Sequence, residues 1–104
     1  MAIKLFISQP MRDRPAEEIK AEREEITAHV REMYGQDLEV IASYYEGNAP
    51  ERGIVALKYL AKSIELLADA DVAYFAKGWE DARGCRIENQ CAIEYGIEVV
   101  EDYR

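Results

Sequence analysis

The sequence predicts an α/β protein built on an open, parallel, four-stranded sheet with helices on both faces. Four short apolar runs alternate with three longer segments of helical periodicity. Each connection between successive apolar runs is a dozen residues or more, which is too long for a hairpin and typical of a crossover between parallel strands. The length of 104 residues suits one domain, so we expect a single domain over residues 1–104.

The first half of the chain supplies two predicted strands and one helix. Ala2–Ser8 is an apolar run typical of a strand that is buried on both faces. Pro15 suits the first position of a helix that extends to Tyr34, and Leu38–Ala42 is the second strand. The helical period is carried by Ile19, Ile26, Val30 and Met33.

The second half continues the alternation after a loop at Ser43–Arg52. Apolar residues from Ile54 to Ala68 recur at helical spacing and predict a second helix with one buried face. The remaining predicted elements are a strand at Asp71–Phe75, a loop at Ala76–Arg83, a helix at Gly84–Tyr95 and a strand at Ile97–Val100. The order β-α-β-α-β-α-β predicts a flavodoxin-like or Rossmann-like three-layer sandwich.

Composition excludes several functional classes. Thirteen Lys and Arg residues against 21 Asp and Glu residues give a net charge of −8, whereas a duplex nucleic-acid binder normally carries a basic face. No apolar run approaches the ~20 residues that a membrane span needs, and the N-terminus lacks the pattern of a signal peptide. We therefore expect a cytoplasmic protein that binds neither duplex nucleic acid nor a membrane.

The sequence offers few ligands for a metal. His29 is the single histidine, and Cys85 and Cys91 are not spaced as a CxxC motif. We expect no metal site, no cofactor and two reduced thiols.

In an open α/β sheet, ligands bind beyond the carboxyl ends of the strands. Two loops at such ends carry unusual chemistry, Ser8–Arg14 and Ala76–Gly84. The first offers a hydroxyl, an amide and two guanidinium groups beside a helix start, which suits a phosphate or carboxylate. The alternative is a turn with solvated arginines. Tyr44, after the second strand, either stacks on a base or packs beneath its loop.

The second loop leads to Glu88, about one turn inside the last helix, which Gly84 opens. The positive end of the helix favours the ionised carboxylate. An ionised carboxylate in a cleft can act as nucleophile or electrostatic stabiliser in glycosidic bond cleavage. The alternative is an ordinary surface glutamate in the first turns of a helix.

Three segments in this order resemble the nucleoside 2-deoxyribosyltransferase superfamily, which includes the deoxynucleoside 5′-monophosphate N-glycosidases. The segments are Phe6-Ile-Ser-Gln-Pro-Met-Arg, Ser63-Ile-Glu-Leu-Leu-Ala-Asp-Ala-Asp71 and Gly84-Cys-Arg-Ile-Glu88-Asn-Gln-Cys-Ala-Ile-Glu-Tyr-Gly96. The resemblance covers nearly the whole chain and is closest to a small phage and bacterial branch.

The resemblance implies that Glu88 is the nucleophile that attacks C1′ of deoxyribose. It implies that Asp81 is the acid that positions Glu88, although the segment between these two residues is one residue longer here than in the family. Phe6 stands where the family has a strand-one tyrosine, and Ser63 stands where it has a base-contacting aspartate. The phosphate loop of the monophosphate hydrolases falls on Pro10, Met11, Arg12 and Asp13.

From these residues we expect cleavage or transfer of the N-glycosidic bond of a nucleoside or nucleoside 5′-monophosphate. The alternatives are a non-catalytic nucleotide-binding module on the same fold and a scaffold for a protein contact. Family members often complete the site with a neighbouring subunit, so we expect a homodimer or larger, with the second helix as the interface. The expected substrate-binding residues are Ser8, Gln9, Pro10, Met11, Arg12, Tyr44, Ser63, Trp79 and Gly84.

Overall fold

The computed structural model describes residues 2–43 and 53–102. The described chain forms four strands, three α-helices and one short 3₁₀ turn, close to the predicted boundaries. The elements are β1 (Ile3–Ser8), α1 (Ala16–Tyr34), β2 (Leu38–Val40), α2 (Val55–Leu67), β3 (Val72–Phe75), the 3₁₀ turn (Trp79–Asp81), α3 (Arg83–Glu94) and β4 (Glu98–Glu101).

The strands form one parallel sheet in the order β2-β1-β3-β4. The predicted fold class is therefore confirmed. The chain leaves β1 towards one edge of the sheet and leaves β3 towards the other, so the connections diverge between these two neighbouring strands. Ser8 pairs with Phe75 where β1 and β3 end side by side, which is where open α/β sheets bind ligands.

Alternation along the strands divides the core into two layers. Leu5 and Ile7 of β1 pack with Ile26 and Val30 of α1 on one face. Phe6 lies on the other face, which α2 and α3 cover. Because side chains two residues apart on a strand point to the same face, Ser8 shares the face of Phe6 and is directed towards α3.

The first helix ends where its sequence predicts and begins one residue later than predicted, at Ala16. Pro15 precedes the first helical residue in an extended conformation, and its carbonyl accepts hydrogen bonds from the amides of Glu18 and Ile19. Gly35 ends the helix with a φ of +95°, which a glycine adopts without steric cost.

The apolar stripe predicted for α2 is buried only towards its end: Leu67 is buried, whereas Leu57 is 58% exposed. Leu57 lies at the start of the helix, which follows the segment at 44–52 outside the described residues. The loop between β3 and α3 also contains the 3₁₀ turn, because the amides of Asp81 and Ala82 bond back to the carbonyls of Gly78 and Trp79.

Candidate functional site

The two loops selected from the sequence lie against each other. Gly78, with a φ of +86°, brings the backbone after β3 so close to the first loop that a Cβ atom there would lie 3.7 Å from Cγ of Pro10. The amide of Ala76 also donates a hydrogen bond to the carbonyl of Ser8, 2.9 Å away. The carboxyl ends of β1 and β3 thus form one continuous surface.

Glu88 lies at this junction and is buried, with 7% of its surface exposed. The Ser8 hydroxyl donates a hydrogen bond of 2.8 Å to Oε1 of Glu88. No ion pair with an arginine or lysine involves Glu88 among the described residues. The carboxylate therefore faces the end of β1 and is not a surface group neutralised by a neighbouring base.

Burial raises the pKa of Glu88 to about 7, and the hydrogen bond from Ser8 opposes this rise. The sequence predicts the opposite direction, from the positive end of the helix. Loss of solvation outweighs the helix dipole here. Removing a carboxyl group from water destabilises its charged form, whereas the dipole acts mainly on groups in the first exposed turn. The carboxyl group of Glu88 consequently titrates near neutrality.

Cys85 lies one turn before Glu88 on α3 and is also buried. Burial raises the pKa of its thiol to about 11, and the hydrogen bond with Ser8 opposes this rise. A thiol with this pKa remains protonated at neutral pH, and the thiolate is the nucleophilic form. Of the two groups, Glu88 is thus the one that is partly ionised at neutral pH.

Gln9 turns to the opposite face, and its amide is fixed at both ends. Its Nε2 donates to the carbonyl of Ile19 and to the carboxylate of Glu22, at 3.1 and 2.9 Å. Its Oε1 accepts a hydrogen bond of 3.0 Å from Arg23, which also donates to the hydroxyl of Ser43. Burial lowers the pKa of the Arg23 guanidinium. This network ties the ends of β1 and β2 to α1.

The two arginines of the first loop have different environments. Arg14 is turned inward and donates to the carbonyl of Pro10 and to Glu18 and Glu22, at 2.7, 2.9 and 3.1 Å. Arg12 projects into solvent with 97% of its side chain exposed, 4.0 Å from Asp13. Arg14 thus closes the loop, while Arg12 is the guanidinium that is accessible to an anionic ligand.

We expect Arg14→Ala to lower the free energy of unfolding by about 1–2 kcal/mol, because it removes three hydrogen bonds from a partly buried guanidinium. Arg12→Ala, in the same loop, is the matched control and should change this free energy by less than about 0.5 kcal/mol. Urea denaturation followed by circular dichroism measures both. Equal losses for the two variants would show that Arg14 does not anchor the loop.

The other residues near the second loop are divided between core and surface. Trp79 is half-buried, and its ring lies 5.6 Å from that of Phe75. Asp81 is exposed, and no hydrogen bond or ion pair of the described residues joins it to Glu88. Arg86 donates to the carbonyl of Glu80. The structure therefore brings Ser8 to Glu88 but shows no contact between Glu88 and Asp81.

Three further predicted residues stand apart. Ser63 lies half-buried on α2, and Met11 is exposed beyond Pro10. A Cβ atom at Gly84 would meet no described atom within 4 Å, so the start of α3 is open on that side. Tyr44 lies outside the described residues.

Among the surface cavities of the described residues, two lie beside α1, and one of these is lined by Arg14 and Lys77 of the two candidate loops. One of about 420 Å³ lies between α1 and the ends of β3 and β4. The other, of about 390 Å³, lies between α1 and Lys77 and includes Arg14 and Glu22. Glu88 lines neither cavity. Because Glu88 exposes only 7% of its surface, the groups that cover it must move before a ligand reaches its carboxylate.

The described residues contain no cluster of three or more His, Cys, Asp or Glu side chains placed to hold a metal. Within the same residues, no helix has the length and apolar character needed to cross a bilayer.

A family model described as "Domain of unknown function (DUF4406)" matches residues 3–101. The chain belongs to this family. The match extends from the first residue of β1 to the last residue of β4, so both loops and Glu88 lie inside the DUF4406 domain. A comparison with curated proteins gave no match.

Sequence reasoning selected Ser8 and Glu88 separately but missed that they bond to each other. The signal was available in the two-residue period of β1, which places Ser8 on the same face as Phe6. The bond between Gln9 and Glu22 was missed as well. It depends on the angle at which α1 packs on the sheet, and the periodicity of the sequence does not report that angle.

Proposed function

We propose that this DUF4406 domain cleaves or transfers the N-glycosidic bond of a 2′-deoxynucleoside or its 5′-monophosphate, with Glu88 as the nucleophile. The observation that carries the proposal is a buried carboxylate without a basic partner among the described residues, at the carboxyl end of β1 where the sheet connections diverge. The resemblance of three segments to the nucleoside 2-deoxyribosyltransferase superfamily supports the same chemistry.

In the proposed reaction, an oxygen of the ionised Glu88 attacks C1′ of the sugar. The C1′–N bond breaks, its electron pair leaves with the base, and the base takes a proton from solvent. The resulting glycosyl ester reacts with water, which restores the carboxylate and releases the sugar and a proton, or with a second base, which forms a new nucleoside. No metal or organic cofactor takes part in these steps.

The charge at the site fits this reaction. A carboxyl group with a pKa of about 7 is largely ionised at pH 8, and it is less stabilised by solvent than an exposed carboxylate. The exposed guanidinium of Arg12 lies on the loop that leaves β1 and suits the 5′-phosphate of a monophosphate. The groups that cover Glu88 must move before the sugar can reach its carboxylate.

Incubation with a panel of 2′-deoxynucleosides and their 5′-monophosphates at pH 8 tests the proposal. We expect free base to appear for at least one member of the panel, measured by liquid chromatography. Calorimetric titration with the same panel measures binding in parallel.

Binding without release of base would overturn catalysis and favour a non-catalytic nucleotide-binding module. Two substitutions support that alternative. Ser63 and Phe6 stand where the nucleoside 2-deoxyribosyltransferase superfamily has a base-contacting aspartate and a tyrosine. Absence of both binding and release would overturn both functions. Gel filtration with light scattering tests the separate prediction of a homodimer or larger assembly.

A further inference from the structure

The hydroxyl group that meets Glu88 comes from Ser8, at the last position of β1. Phe6 and Ser8 lie on the same face of the strand, and Ser8 is the one nearer to the carboxyl end. We propose that Ser8 is a positioning residue, whose hydroxyl orients the Glu88 carboxylate for attack and does not bind the substrate. This inference rests on the proposed function for its catalytic meaning.

The contact geometry supports this role. The donor–acceptor distance is 2.8 Å, and Ser8 and Glu88 expose only 2% and 7% of their surfaces. A serine hydroxyl has one proton to donate, and here it goes to Oε1 of Glu88. Because that proton is already committed, the hydroxyl cannot at the same time donate to a substrate.

The bond also affects the charge of Glu88. A hydrogen bond to an ionised carboxylate favours the charged form, and the bond from Ser8 lowers the pKa of Glu88 against the effect of burial. Removing the hydroxyl should raise that pKa further. The fraction of Glu88 that is ionised at pH 7 then falls, and the remaining carboxylate is less well oriented.

The test measures two quantities separately: the pKa of Glu88 in the free protein and the rate of base release. Carbon-13 NMR of glutamate-labelled protein reports the pKa of Glu88 in the natural protein, Ser8→Ala, Ser8→Thr and Ser43→Ala, with Glu88→Gln assigning the signal. Ser43 is the matched control, a buried serine three residues after β2 whose hydroxyl donates to the carbonyl of Ile7. Base release over pH 5.5–9 gives kcat and KM for the Ser8 variants.

We expect Ser8→Ala to raise the pKa of Glu88, Ser8→Thr to keep it near the natural value, and Ser43→Ala to leave it unchanged. We expect kcat of Ser8→Ala at pH 7 to fall by about 10-fold to 100-fold, as for loss of a hydrogen bond to a charged group. KM should change by less than about threefold, because a change in KM alone indicates a uniform binding interaction. Part of the lost kcat should return at high pH, where Glu88 is again ionised.

An unchanged pKa of Glu88 in Ser8→Ala overturns the inference, whether or not base is released. An increase in KM with kcat unchanged also overturns it, in favour of substrate binding by Ser8. A shifted pKa with no base release from any substrate in the natural protein supports the coupling of Ser8 to Glu88 and overturns the proposed function instead. Ser8→Ala and Ser43→Ala decide the question even if Ser8→Thr fails to fold.

Discussion

Glu88→Gln is expected to lower the rate of base release by roughly 1,000-fold or more, as for removal of a nucleophile in other enzymes. The substitution keeps the size of the side chain, and its amide oxygen still accepts the hydrogen bond from Ser8. An amide oxygen does not form the glycosyl ester, however, so the covalent step is lost. Substrate binding should survive, and calorimetric titration with the best substrate of the panel measures it.

Glu94→Gln is the matched control for this experiment. Glu94 lies on the same helix, is exposed, and accepts a hydrogen bond from Gln90. The same chemical change at this position should leave base release within about twofold of the natural rate, as expected for a surface substitution away from the site. Retention of more than a tenth of the natural rate by Glu88→Gln would exclude Glu88 as the nucleophile.

The pH profile of the natural protein separates two roles for the same carboxyl group. A nucleophile acts in its ionised form, so kcat/KM should rise as the pH increases through about 7, the pKa of Glu88 in the free protein. A general acid acts in its protonated form and gives the opposite slope. A profile that falls through pH 7 would therefore contradict the proposed role.

The second large effect concerns stability. The folded-state pKa of Glu88 is raised from an ordinary value of 4.5 to about 7, so between these values the folded protein binds more protons at this site than the unfolded chain does. The stability contribution of this group is then fully present below about pH 4.5 and is lost as the pH rises through about 7. The ionised, buried carboxylate destabilises the folded protein above neutrality.

We therefore expect Glu88→Gln to be more stable than the natural protein at pH 8.5, by roughly 2–3 kcal/mol. At pH 4.5 this difference should nearly vanish, since a protonated carboxyl group and an amide are both neutral. Urea denaturation at the two pH values measures it, with the fluorescence of the single tryptophan, Trp79, as the probe. Its packing against Phe75 makes the signal sensitive to unfolding.

Glu94→Gln is again the control: it makes the same chemical change at an exposed position, and its free energy of unfolding should stay within about 0.5 kcal/mol of the natural value at both pH values. If Glu88→Gln is the less stable protein at pH 8.5, the carboxylate is stabilised in the folded state and the expected shift is wrong. A stabilised variant that has lost its activity would show that the buried charge is kept at a cost to stability.

Much of the fold follows from local patterns in the chain. The apolar run at the start, the helical period from Ile19 to Val30 and the glycine at position 35 predict β1, α1 and its end, because backbone geometry and burial impose these patterns directly. The length of the crossovers then restricts the sheet to parallel strands. The two loops that carry unusual chemistry follow from the position of strand ends in such a sheet.

The protonation and the solvent exposure of the site residues do not follow from such patterns. The helix position of Glu88 suggests a lowered pKa, but its depth beneath the end of β1 raises the pKa instead. Arg12 and Arg14 look alike in the sequence, yet one is 97% exposed and the other is bonded to two glutamates of α1. Solvation and hydrogen bonding depend on neighbours that are distant in the chain, and periodicity does not report them.

The sequence by itself determined the α/β class, the order of the elements and the loops in which to search for chemistry. Only the tertiary structure decided that Ser8 and Glu88, 80 residues apart in the chain, form one buried pair, and that Gln9 is fixed between Glu22 and Arg23. The reason is physical. Local propensity acts over a few residues, whereas a buried hydrogen bond depends on the packing of α1 and α3 on opposite faces of the sheet.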